Sequence, residues 1–304
     1  MSIPSGVERD YPLSRLTTVR AGGSADFFAR PSSEEEVVDQ LAWTEREGLA
    51  LGVVGSGSNL LISDQGFRGL VIKLAGDLTR IEREGTTVLC GGGARLPSAA
   101  ARAAGWGLAG LEFGVNIPGT VGGAVRMNAN AYGGELGRVL DVVTVCTVAG
   151  SETRRPEDLG LRYRGSDLGD HEVVTGAGFA LSEANPADVK ATMGEMRRRR
   201  KEAQPSGIKT FGSTFMNPDD PRAEGRSAGQ LLDAAGCSGL TVGGARLSPK
   251  HANFVENTGT ATTADILGVM AAARRKVYER CGVALEPEVQ ILGEVSWPED
   301  WQLE

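Results

Sequence analysis

Histidine and cysteine are scarce in this chain, and that scarcity excludes a metal centre. The two histidines, His171 and His251, and the four cysteines, Cys90, Cys146, Cys237 and Cys281, form no CxxC pair and no other ligand spacing. No metal is expected, and the thiols read as small core residues. Excess positive charge is missing as well: the formal net charge is -7 and the pI is near 5.2, which argues against broad electrostatic binding to nucleic acid or to an anionic membrane surface. Local capture of a small acidic molecule stays open. No stretch approaches the roughly 18 uncharged apolar residues of a membrane span, and Met1 to Leu13 has no apolar core behind a basic start. The expectation is a cytoplasmic monomer without a nucleic-acid or membrane partner. Aromatic residues make up only 5% of the 304 positions whereas glycine occurs 43 times, so tight turns and close backbone approaches must be frequent. With 40% hydrophobic and 23% charged residues, the composition is otherwise that of a folded chain long enough for two or three domains.

Helix signals punctuate the sequence. In "RPSSEEEVVDQLAWTEREG", Ser32 or Ser33 is the N-cap, Glu35 or Glu36 follows three residues on, and Gly48 is the stop. A short apolar strand runs into "GSGSNLL", and a second follows in "GLVIKLAG". From Ile81 to Leu181 the pattern turns to short strands, interrupted by an alanine-rich helix at Pro97 to Ala104 and by a long glycine-rich stretch. Asn185 and Pro186 then open a helix with four arginines, Arg197 to Arg200, near its end. Dipole compensation explains such a run, and a sharper reading has Arg200 holding an acidic ligand. Ser227 with Gln230, and Thr262 with Asp265, cap two further helices. The predicted class is α+β, with a domain over 1–184 in two parts (about 1–75 and 76–184), a smaller α/β domain over 185–293, and a tail over 294–304.

Two loops give up their side chains. "VVGSGSNLL" carries Gly55 and Gly57 after a strand, yet the third glycine of a dinucleotide fingerprint would fall on Leu60, and no helix opens there. No Walker lysine follows any glycine loop. What is left is a turn with Ser56, Ser58 and Asn59 whose successive N–H groups can form an anion nest. The second loop, "NIPGTVGGAV", combines a proline with three glycines and no charge. A plain turn explains either loop alone; together they predict an extended diphosphate held by main-chain amides, without one basic side chain. The predicted cofactor set is Gly55, Ser56, Gly57, Ser58, Asn59 and Leu60 in the first loop, and Asn116, Ile117, Pro118, Gly119, Thr120, Gly122, Gly123 and Ala124 in the second.

With these loops stand further motifs: "AGGSAD", "GLEFGVNIPGTVGGAVRMNANAYGGE", "YRGSDL", "FGSTFMNP", "AGQLLDAAGCSGL", "GGARLSPKHANFVEN" and "LEPEV". In this order they make the chain resemble the UDP-N-acetylenolpyruvoylglucosamine reductases, or UDP-N-acetylmuramate dehydrogenases, from Thr17 to Gly293. The resemblance implies a two-part FAD-binding domain of the vanillyl-alcohol oxidase type followed by a substrate-binding domain. It implies non-covalent FAD, NADPH as reductant, and reduction of an enolpyruvyl UDP-sugar to its D-lactyl ether in peptidoglycan precursor synthesis. It further implies that Arg164 of "YRGS" binds the substrate carboxylate, that Glu288 of "LEPEV" is its second partner, and that Ser213 of "FGST" is the general acid, with Arg200 and Asn217 at the substrate.

The residue types suit those tasks. A forked, permanently charged guanidinium fits a carboxylate that gains charge. A carboxyl helps an oxyanion only when protonated or when acting through a hydrogen-bond network, and an alcohol needs a relay to restore its proton. Read without the resemblance, Arg164 is a surface ion pair, Ser213 a turn residue beside Gly212, and Glu288 the polar side of a strand. Three places depart from the family: Met216 stands where lysine or arginine is usual, Cys237 to Gly239 replace leucine-lysine-glycine, and Gln290 replaces arginine. Two other functions are compatible with the loops. One is an alcohol or sugar oxidase on the same fold, although neither loop offers a histidine or cysteine to tether flavin. The other is a protein that keeps flavin or nucleotide without turnover.

Overall fold

The computed structural model describes residues 3–303, which form two compact units, each assembled from three stretches of chain. Unit 1 takes residues 3–10, Asp26–Ser56 and Arg68–Arg200; unit 2 takes Tyr11–Ala25, Gly57–Phe67 and residues 201–303. The α+β class expected from the sequence is observed.

In unit 1, helix α1 (Glu34–Glu47) starts at Ser33, whose hydroxyl accepts the Glu36 N–H at 3.2 Å while the Glu36 carboxylate takes the Ser32 N–H at 2.7 Å. Ser33 is thus the cap, and Gly48 closes the helix at φ 64°. Val37, Leu41 and Trp43 bury against Phe27, Leu70 and Ile72. Strand Ala50–Val53 runs parallel to Phe67–Ile72, with Ala50 opposite Gly69. A five-stranded antiparallel sheet, in the order Gly150–Arg154, Leu140–Thr147, Val173–Ala180, Thr87–Gly91 and Ile81–Glu84, forms the larger part of the unit. Helix α2 (Leu96–Gly105) buries Ala99, Ala100, Ala103 and Ala104 in the core of that part.

The glycine-rich stretch is not all loop. Helix α3 (Val121–Arg126) forms inside it, capped by Thr120. Glycine is a poor helix former, but a Cβ on Gly122 would lie 2.9 Å from the Val174 carbonyl and 3.1 Å from that of Gly92, so packing overrides propensity. Helix α4 (Pro186–Ala203) begins as expected, the Asn185 side chain accepting the Ala187 N–H at 2.9 Å. Its buried residues Val189 and Met193 join the core of unit 1, which carries the limit of this unit past Asn185 to Arg200.

Unit 2 contains α5 (Ala228–Ala234) and α6 (Thr263–Cys281), each opened by the capping box expected from sequence, Ser227 with Gln230 and Thr262 with Asp265. The buried stripe Ile266, Val269, Met270, Ala273 and Val277 faces α6 into the core. Strands Thr241–Val242, Ala245–Leu247 and Val255–Asn257 make a small antiparallel sheet, and Gln290–Leu292 pairs in parallel with Leu60–Ile62. Residues 294–303 differ from the expected tail: Val295, Trp297 and Trp301 pack on the core of unit 2. The two indoles lie 3.9 Å apart, and the Arg274 guanidinium stacks 4.6 Å from the Trp301 ring. Among the described residues no helix is long and apolar enough to cross a membrane.

Candidate active site

Within unit 1 the two glycine loops meet. A Cβ on Gly55 would collide with the Thr120 hydroxyl oxygen, so glycine there is a packing requirement. The second loop is stitched to the end of strand Thr87–Gly91: Val121 N–H donates to Ala94 O and Gly122 N–H to Gly92 O, both at 2.8 Å. Asn116 is buried, and its side-chain amide donates to the Met196 carbonyl at 2.8 Å, so it fastens the loop to α4. Ile117 packs against the core, while Pro118 is exposed.

Gly119 and Gly123 are different. A Cβ on Gly119 would find nothing nearer than 3.9 Å, and one on Gly123 nothing nearer than 3.5 Å. The protein itself does not require glycine at these two positions. Among the described residues, the N–H groups of Gly55, Ser56, Gly119 and Thr120 donate to no protein acceptor. Main-chain donors without a protein acceptor, beside side-chain-free space, fit the diphosphate of a dinucleotide.

This separation of glycine roles gives an opposed pair of expected results. Gly55→Ala loses about 1–3 kcal/mol of stability through overpacking. Gly123→Ala, inside α3, leaves stability unchanged or gains about 0.5–1 kcal/mol yet lowers flavin affinity. Denaturant unfolding of flavin-free protein and flavin titration separate the two; a Gly123→Ala protein with parental affinity would remove that glycine from the cradle.

Arg164 occupies a tight turn in unit 1. Arg162 and Gly165 exchange both backbone hydrogen bonds, at 3.0 and 3.2 Å, leaving Tyr163 and Arg164 as the two turn residues. Arg164 takes φ 59°, a region that favours glycine. Its side chain lies 5.0 Å from the Tyr163 ring centroid, and Nη1 donates to the Asn130 amide oxygen at 2.9 Å. The turn is held from behind. Arg126 donates to the carbonyls of Leu168, Gly169 and Glu172 at 3.1, 2.9 and 2.7 Å, and Ser166 donates to the Arg126 carbonyl at 2.8 Å. Of the arginine run, Arg197, Arg198 and Arg199 are exposed, the last two bonded to Glu195; Arg200 is half-buried, and burial lowers its pKa.

Unit 2 brings Ser213 and Glu288 onto adjoining segments. Glu288 N–H donates to Thr214 O at 2.8 Å, and Phe215 bridges Pro287 antiparallel. On the other side Ser213 bridges Phe254, and the buried Asn253 clamps the next residues: its carbonyl accepts the Thr214 N–H at 2.8 Å, while its side chain accepts from and donates to the Phe215 backbone, each at 2.9 Å. Gly212, at φ 86°, turns the chain just before Ser213.

Asn59 belongs to this assembly as well. Its side chain donates to the Glu288 carbonyl at 3.1 Å, and its own carbonyl accepts the Gln290 N–H at 3.1 Å. Gly57 is buried, and a Cβ there would strike the Leu16 carbonyl; Ser58 is half-buried, and Leu60 starts the strand that pairs with Gln290–Leu292. Asn217 is exposed and caps α5, accepting the Ala228 N–H at 3.0 Å. At the departures, Gln290 Nε2 donates to the Glu288 carbonyl at 3.3 Å, and the Ser238 hydroxyl donates to Pro249 O at 3.2 Å.

Sequence reasoning missed Asn130 and Asn253, which steady Arg164 and Ser213 across 34 and about 40 residues of chain. Neither carries a local signal. Lys73 was missed too, although a single lysine in the apolar "LVIKLA" was a visible cue.

Open backbone donors that suit a dinucleotide in unit 1, and a hydroxyl and a carboxyl on adjoining segments of unit 2, are features of a flavin-dependent oxidoreductase. Residues 25–154 match the FAD binding domain family, and residues 204–292 match the family described as UDP-N-acetylenolpyruvoylglucosamine reductase, C-terminal domain. UDP-N-acetylenolpyruvoylglucosamine reductase 2 of Symbiobacterium thermophilum is 41% identical over 296 residues, covering 97% of this chain and 94% of that one. The reductase of Geobacillus kaustophilus is 42% identical over 290 residues, covering 95% and 93%. The crystal structure of the UDP-N-acetylenolpyruvylglucosamine reductase from Thermus caldophilus aligns with a TM-score of 0.82 at 36% identity, covering 96% of this chain and 99% of that one. The chain belongs to the UDP-N-acetylenolpyruvoylglucosamine reductase family.

Proposed function

We propose that the chain reduces the enolpyruvyl group of UDP-N-acetylglucosamine enolpyruvate to the D-lactyl ether of UDP-N-acetylmuramate, with NADPH as reductant, a step of peptidoglycan precursor synthesis. The carrying observation is the pairing of the Ser213 and Glu288 segments through the Glu288 N–H and the Thr214 carbonyl. Bound FAD supplies hydride chemistry, accepting a hydride from NADPH and giving one to the substrate. Gly55, Ser56, Gly119 and Thr120 would hold its diphosphate by main-chain donors, with Gly123 leaving space beside them.

The remaining work falls to side chains. Hydride at the terminal vinyl carbon drives negative charge through the neighbouring carbon into the carboxylate, so donors aimed at that carboxylate act mainly in the transition state. Arg164 takes this part, its guanidinium oriented by Asn130. The Ser213 hydroxyl delivers the proton to the neighbouring carbon, and Glu288 is the second partner of the developing charge. Arg200 and Asn217 serve the UDP-sugar. The reading carries with it the cytoplasmic, monomeric form expected from sequence.

Anaerobic spectroscopy tests the whole. NADPH is expected to bleach the flavin absorbance, and the enolpyruvyl UDP-sugar to restore it. Flavin that NADPH cannot bleach, or that the substrate never reoxidises, would sink the proposal.

A further inference from the structure

Lys73 follows strand Phe67–Ile72 in unit 1 and is half-buried. Its ammonium donates to the Gly55 carbonyl at 2.9 Å. Among the described residues no carboxylate pairs with it. Burial lowers its pKa, and the charges of Arg30 and Arg95 add to the effect. Arg30 is partly compensated by Glu8, 2.7 Å away; Arg95 is exposed, and its backbone pairs with that of Thr120 on the second glycine loop. Positive charge therefore gathers at one corner of unit 1 in a chain of net charge -7. Buried charges are normally paired, so a lysine beside other cations is costly unless an anion joins it.

The bond to Gly55 gives this charge a direction. The carbonyl that Lys73 holds belongs to the same peptide unit as the Ser56 N–H, which donates to no protein acceptor among the described residues. An ammonium at the oxygen of a peptide polarises it and strengthens its N–H as a donor. Gly55 in turn packs on Thr120, whose N–H likewise donates to no protein acceptor among the described residues.

We propose that Lys73 is the charge partner of the cofactor's diphosphate, acting on it through the Gly55–Ser56 peptide and by its field. The expectation that main-chain amides suffice without a basic side chain is thereby replaced: amides make the contacts, and a lysine behind them supplies the charge. The inference rests on the assignment of the two glycine loops to FAD.

Full-length holoprotein is compared with Lys73→Met and Lys73→Arg by following FAD release on dilution at about 0.05 and 0.5 M KCl, where screening differs strongly. Lys73→Met is expected to weaken FAD binding about 10- to 100-fold at low salt, with a smaller deficit at high salt, and Lys73→Arg to recover most of the loss. ADP should displace FAD from the parent better than adenosine does, and Lys73→Met should lose that preference. An affinity within about threefold of the parent at low salt would overturn the proposal. So would a loss that is insensitive to salt and equal for ADP and adenosine, since that pattern belongs to packing. A parent protein that binds no FAD would instead overturn the loop assignment itself.

Discussion

Ser213→Ala is expected to leave reduction of the flavin by NADPH nearly unchanged while slowing its reoxidation by the enolpyruvyl UDP-sugar about 10²- to 10⁴-fold, the range that a positioned general acid contributes. The split follows from the chemistry. Hydride transfer from NADPH needs no proton at a substrate carbon, whereas saturation of the enolpyruvyl group does. The structure makes Ser213→Ala a clean substitution, because its segment is fixed by backbone bonds to Asn253 and Glu288 that do not involve the hydroxyl. Anaerobic stopped-flow absorbance reads the two half-reactions separately. Equal losses in both would remove the acid role from Ser213.

The second large effect concerns Arg164. Arg164→Met is expected to lower the reoxidation rate about 10²- to 10³-fold, the usual cost of removing one donor from a developing oxyanion, again sparing reduction by NADPH. Arg164→Gly sharpens the test because the turn holds arginine at φ 59°. A left-handed conformation costs a non-glycine residue about 1–2 kcal/mol. Relief of that strain offsets the lost contacts with Asn130 and Tyr163, so the glycine variant should unfold at the same denaturant concentration as the parent or a higher one while turning over as slowly as the methionine variant. A glycine variant with parental turnover would show that the arginine serves the turn and not the substrate.

Signals in the sequence are legible where the physics is local. The caps Ser33, Ser227 and Thr262 each depend on residues within four positions, and all three start helices. Glycine-rich runs were less legible, because absence of a side chain has two opposite causes. Gly55 and Gly122 lack a Cβ because protein atoms occupy its place, Gly119 and Gly123 although nothing does, and only the packed fold tells them apart. "GSGSNLL" hides a further division: Gly55 packs on Thr120 in unit 1, while Asn59 bonds the Glu288 segment in unit 2. Contacts spanning 229 residues, as between Asn59 and Glu288, leave no periodic trace in a sequence.

The threefold segmentation of each unit has a consequence for synthesis and for protein engineering. Val19, Ala21 and Leu61, all made early, belong to the same core as Val283, Leu285 and Val289, so that core cannot close on the ribosome until almost the whole polypeptide has emerged. Meanwhile the N-terminal segments must wait with apolar side chains uncovered, a state exposed to aggregation and chaperone capture. A C-terminal fragment starting at residue 185 or 204 would lack the Leu60–Ile62 strand that pairs with Gln290–Leu292. Useful dissection of this enzyme therefore calls for permuted or co-expressed pieces, not for truncation at a sequence boundary.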